Sequence, residues 1–146
     1  MAFVRKQGKT KIMWLPRAAS VGAVAKGSLM SWNTGVLIAA TNTVACYTIA
    51  GVIAKTIATT DADYAVARLI PVEVPIEKNV VWEAPADSAL AATYVGSYMD
   101  LAAADDGSGI GAGSASNYDI AQCVKYISAT KGWFILNIGP DAYVKA

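Results

Sequence analysis

The residues best suited to chemistry in this 146-residue chain are few and poorly spaced for it. There is no histidine, so the commonest general base and the commonest transition-metal ligand are both missing. Without imidazole neither Cys46 nor Cys123 can form a Cys–His pair, and a Ser–His–Asp triad cannot be assembled. The two cysteines are isolated, with no CxxC, and define neither a metal box nor a disulfide framework; their apolar neighbours read as the setting of reduced, buried thiols. Paired carboxylates occur at Asp61 and Asp63 and at Asp105 and Asp106. Both pairs lie in polar loops, where acids serve turns, and nothing around them raises a carboxyl pKa as acid catalysis requires. Asp100, Asp105 and Asp106 lack the DxDxDG spacing of a calcium loop. The run Gly107-Ser108-Gly109-Ile110-Gly111-Ala112-Gly113 lacks a GKS/T ending, and Ala112 or Ser114 stands where GxGxxG needs its third glycine, so it reads as a flexible loop. The expectation is a protein that is not an enzyme, with no cofactor, no metal and no small-molecule substrate.

Charge is distributed unevenly. Residues 1–60 hold Arg5, Lys6, Lys9, Lys11, Arg17, Lys26 and Lys55 and no acid, whereas all eleven acids fall between Asp61 and Asp141. Five bases within the first seventeen residues read as a basic arm, either a frayed solubilising terminus or a segment that contacts a partner. Phe3 and Trp14 interleave aromatics with these bases, as nucleic-acid binders do. A net charge of only +1 and the lack of any recognised module after the arm speak against nucleic acid. The arm's charges and its Trp-Leu-Pro do not make a signal peptide, which places synthesis in a reducing cytoplasm.

The elements that must carry these residues are strands. Arg68–Glu77 alternates Ile70, Val72, Val74 and Ile76 with Pro71, Glu73, Pro75 and Glu77, a period of two that two prolines make still less helical. Those prolines remove donors from one side, which predicts an edge strand paired only through residues 70, 72, 74 and 76. The charge-free span from Lys26 to Lys55 is long enough for a membrane helix, but Asn33-Thr34-Gly35 and Asn42-Thr43 cut it into strand-sized pieces. Further strands are read at Ile12–Leu15 (stopped by Pro16), Ser28–Trp32, Val36–Ala40, Tyr47–Ile57 with a bulge at Gly51, Val80–Glu83 and Thr93–Leu101. A closing hairpin turns at Thr130-Lys131 between Tyr118–Ala129 and Gly132–Ile138. Asp87 is placed to cap the one short helix, Ser88–Ala92, and residues 102–116 read as a loop. The whole predicts an all-β fold, a compact antiparallel β-barrel or sandwich, with residues 1–17 as an extended N-terminal arm and 18–146 as the β-rich domain. Apolar residues make up 55% and charged ones 16%, below the ~25% charge usual in globular proteins, so burial against copies of itself or a larger assembly is expected.

Lys26-Gly27-Ser28-Leu29, Gly35-Val36-Leu37, Gly51-Val52-Ile53, Val72-Glu73-Val74-Pro75 and Val95-Gly96-Ser97-Tyr98-Met99-Asp100-Leu101 together resemble the strand and glycine layout of tailed-bacteriophage head decoration proteins, also called capsid cement proteins. The likeness spans residues 20–138. It implies a β domain, often trimeric, that binds the outer surface of the expanded capsid where capsomers meet and stabilises it, so that the partner is the major capsid protein and the location the virion. It also implies that the arm is the contact, with Ile12 and Trp14 as apolar anchors, Phe3 beside them, and Arg5, Lys6, Lys9 and Lys11 meeting acids on the shell. Removing residues 1–11 is then expected to leave the fold intact. The other readings are a tail-tube or capsid-like virion subunit, and a nucleic-acid-binding β-barrel using the basic arm with Trp32, Tyr47 and Trp82.

Overall fold

Turn residues cut this chain into short extended pieces. The computed structural model describes residues 3–17, 23–41, 48–58, 60–61, 68–87, 90–102, 109–111 and 120–136. Within them lie β1 (Val4–Gln7), β2 (Thr10–Arg17), β3 (Leu29–Asn33), β4 (Val36–Ala39), β5 (Ile49–Ile53), β6 (Arg68–Pro75), β7 (Val81–Pro85), β8 (Tyr98–Leu101), β9 (Ile110–Gly111), β10 (Ala121–Ser128) and β11 (Lys131–Leu136). The fold is all-β. Five strands close a barrel in the order β2-β4-β3-β5-β6, and the other six form a sheet in the order β1-β7-β11-β10-β8-β9.

Hydrophobic alternation explains how the two layers meet. In β5, Ala50 and Ile53 join Leu15, Met30, Leu37, Ile70, Val72 and Val74 inside the barrel. Ile49 and Val52 of the same strand point the other way and pack with Leu29, Trp82, Phe134, Met99 and Cys123 against the six-stranded sheet. A strand covered on both faces has no position for a charge. Within the uncharged span from Lys26 to Lys55, β3, β4 and β5 are therefore barrel wall, with the six-stranded sheet laid over it. Its hairpin turns at Thr34 and Gly35, with φ values of 51° and 88°, the left-handed pair that a two-residue turn between twisted strands requires.

β6 is not an edge. It pairs β2 along its full length, Thr10↔Pro75 to Arg17↔Arg68, and β5 through Val52↔Glu73 and Ile53↔Val72. The Ala54 N–H donates to the Pro71 carbonyl at 2.9 Å, so the proline side of the strand faces β5. The prolines thus shorten that ladder without leaving it vacant, because the Pro71 carbonyl still accepts and β5 needs only a short pairing to close the barrel. Ile70, Val72 and Val74 are buried as the alternation predicts, whereas Ile76 lies beyond the strand and is exposed. Gly51 sits at the bulge, where Met30↔Gly51 is followed by Ser31↔Ile49. A Cβ on it would collide with the Glu73 carbonyl oxygen. Gly51→Ala should therefore cost about 1–3 kcal/mol, the range for a clash a packed interior cannot relieve, read as a lower urea midpoint at unchanged slope.

Residues 3–17 are not an extended arm. β1 pairs β7 in the sheet, through Val4↔Glu83 and Arg5↔Trp82, while β2 is a barrel stave. The chain crosses between the layers at Gly8, whose φ is +93°. Phe3 is only 3% exposed and its N–H donates to the Gly27 carbonyl at 2.9 Å. Deleting residues 1–11 would remove one strand and the start of another, so unfolding rather than an intact domain is expected. β2 also runs through Pro16 to Arg17, because Pro16 faces away from the β6 ladder and its missing donor breaks no bond there.

Three smaller expectations change. The helical turn lies at Ala92–Tyr94 instead, with Ala91 at its N-cap position and no side-chain cap, while the Asp87 N–H donates to the Ile110 carbonyl at 3.1 Å; Ser88 and Ala89 lie outside the described residues. The strand read from Thr93 begins only at Tyr98, after a turn at Val95–Gly96. Within the stretch read as a loop, Ile110 is fully buried and Gly111 lies against the Leu101 carbonyl too closely for a side chain. Those residues form β9, and their glycines serve close packing there. The closing hairpin is present as β10–β11, turning at Ala129–Thr130.

Candidate interaction surface

The outward face of β2 and β6 carries three of the most exposed large apolar side chains among the described residues. Directly opposed residues share a face in an antiparallel pair, and the register sets Trp14 beside Pro71, Ile12 beside Glu73 and Pro16 beside Leu69. Trp14 is 62% exposed, Ile12 50% and Leu69 57%. The inward residues of the same strand, Met13 and Leu15, belong to the barrel interior, so the stave is held rigidly from behind. Leu69 was missed in the sequence, although its place one residue before Ile70 puts it out of phase with the buried set and onto the proline face.

The bases divide into committed and uncommitted. Arg5 Nε donates to Glu73 Oε2 at 2.7 Å, and the same oxygen accepts from Thr10 Oγ1 at 2.6 Å. Lys6 lies 3.6 Å from Glu83. The acid-free first half and the acid-rich second half are thus complementary parts of one fold, because β1 and β2 pair with β7 and β6. Lys9 and Lys11 are exposed and make no ion pair among the described residues. Both are engaged through the backbone: Lys11 pairs with Val74, while the Lys9 N–H donates to Glu77 Oε1 at 2.8 Å and its carbonyl accepts from Ile76 at 3.1 Å. Of the seven residues expected in the contact, Phe3 belongs to the core, Arg5 and Lys6 hold the two layers' own acids, and Lys9, Lys11, Ile12 and Trp14 face solvent.

On the opposite layer Glu83 is a hub. Trp133 Nε1–H donates to its Oε2 at 3.1 Å, with Lys6 at 3.6 Å and Lys131 at 3.7 Å, and the Lys125 ammonium stands 4.5 Å over the Trp133 ring. The Trp133 hydrogen bond, aided by both lysines, holds the Glu83 carboxyl below its ordinary value of 4.5. A carboxyl depressed in the folded state stabilises above its unfolded pKa and stops doing so as pH falls through the folded one. Stability should therefore decline in acid below about pH 4.5, and Glu83→Gln should flatten that slope in urea titrations; equal slopes would show the hub to be energetically silent.

The residues weighed for chemistry are only partly among the described ones. Asp61 closes its own turn, accepting the Ala58 N–H at 2.8 Å, while Asp63, Asp105 and Asp106 lie outside the described residues. Cys123 is buried, and loss of solvation pushes its thiol pKa up; Cys46 lies outside the described residues. No group of acids and cysteines that could hold a metal ion occurs among the described residues, and no helix there is long and apolar enough to cross a membrane. Comparison with known proteins found no matching family model, no similar curated protein and no similar solved structure.

Proposed function

We propose that this protein is a non-enzymatic structural component of a phage virion that binds the outer surface of the capsid at capsomer junctions and cements it. The observation that carries the reading is the exposed Ile12–Trp14 stripe, extended by Leu69, on a stave that the barrel holds in place. Exposed aromatic and aliphatic anchors on a rigid element, ringed by charge, are what binding hot spots use. The resemblance to capsid cement proteins supplies the partner, the major capsid protein, and a trimeric assembly. A ligand that binds only the assembled lattice stabilises it by mass action, repeated over many sites, and no catalytic group is needed.

The test is co-sedimentation of the purified protein with expanded, undecorated heads. Saturable binding is expected, together with greater resistance of the heads to heat. Free protein that stays in the supernatant at saturating concentration would overturn the reading. Light scattering tests the trimer separately.

A further inference from the structure

Among the described residues the side of β2 away from β6 is occupied at one end, where β4 meets it in parallel through Arg17↔Leu37. Lys9, just before the strand, is held on the β6 side by residues 76 and 77. Because Pro71 turns its carbonyl to β5, residues 70, 72 and 74 face β2 and bond Leu15, Met13 and Lys11. Alternation then aims the N–H and C=O groups of Thr10, Ile12 and Trp14 the other way. Among the described residues no strand pairs with them there. Such an edge is a template for one more strand.

We infer that this edge accepts an extended segment of a partner protein in which apolar and acidic residues alternate. The pattern follows from the two faces that the added strand would continue. One lies beside Ile12 and Trp14, both exposed, and calls for apolar side chains. The other lies beside Lys9 and Lys11, which make no ion pair among the described residues and stand at the open end of the face that Met13 and Leu15 continue into the barrel, and calls for carboxylates opposite them. The same charges disfavour a second copy of this chain, whose β2 would bring its own Lys9 and Lys11 against them. Two uncommitted lysines are also few for nucleic acid, where each phosphate contact needs a cation. The inference rests on the proposed contact face and specifies how a shell protein would engage it.

Amide hydrogen exchange on the full chain tests it. In the free protein Lys11, Met13 and Leu15 should exchange slowly, and Ile12 and Trp14 fast. An acetylated, amidated (Val-Glu)4 peptide at ten times its Kd should slow Ile12 and Trp14 about tenfold, whereas (Val-Lys)4 and the N-methylated acidic peptide should not. Lys9→Glu combined with Lys11→Glu should reverse the preference between the two unmethylated peptides. The inference is overturned if no peptide slows exchange at millimolar concentration, or if the lysine or methylated peptide does so equally. It is overturned too if protection rises with the protein's own concentration, which identifies a second copy, or if a thymidine octanucleotide produces it. Heads that co-sediment while Ile12 and Trp14 stay unprotected would leave the cement reading standing and remove strand addition.

Discussion

Trp82→Ala is expected to destabilise the fold by about 3–5 kcal/mol, the range for emptying an aromatic site in a close-packed core. Trp82 is fully buried where the six-stranded sheet lies on the barrel, among Phe3, Leu29, Val52 and Phe134. Its loss opens a cavity between two layers that cannot collapse separately, because β1 and β2 tie one to the other. Its indole N–H has no hydrogen-bond partner among the described residues. Trp82→Phe therefore removes an unsatisfied donor along with some volume, and should cost much less than the alanine change. Urea unfolding of the two variants measures both. A phenylalanine variant as unstable as the alanine one would mean that the indole is satisfied in solution.

Trp14→Ala should do the reverse, leaving stability within about 0.5 kcal/mol of the parent while weakening binding to expanded heads. A central aromatic anchor is worth about 2 kcal/mol or more, roughly thirtyfold in Kd. Ile12→Glu should add to the loss by placing a carboxylate on the apolar face beside Glu73. Phe3→Ala is the contrasting control: its side chain is in the core, so the variant should lose stability yet bind normally per folded molecule. Unchanged affinity in Trp14→Ala would remove β2 as the contact face.

Much of the fold could be read in advance because its signals are local. The alternation at Ile70, Val72 and Val74, the Asn33-Thr34-Gly35 turn, the bulge at Gly51 and the closing hairpin each depend on a few neighbouring residues. Partner choice was not local. Nothing within Arg68–Pro75 says that β5 will pair on its proline side, and nothing within residues 1–17 says that they will be built into two layers. The basic run gave a signal of free charge because the acids that neutralise Arg5 and Lys6 lie 68 and 77 positions away, at Glu73 and Glu83. On the candidate surface, Ile12 and Trp14 were legible as large apolar groups in polar company. Phe3 looked the same in sequence, and only its burial in the core between the layers separates it from them.

Because β2 is a stave whose mate, β6, follows it in the chain by almost sixty residues, the closed wall cannot form until that later stretch has been made. At about 5–20 residues per second the nascent Trp14 waits on the order of 3–12 s for Pro71, carrying its oily side chains unpaired. Maturation of this molecule is thus gated by its midsection, and crowded polysomes are where its tendency to aggregate should be greatest.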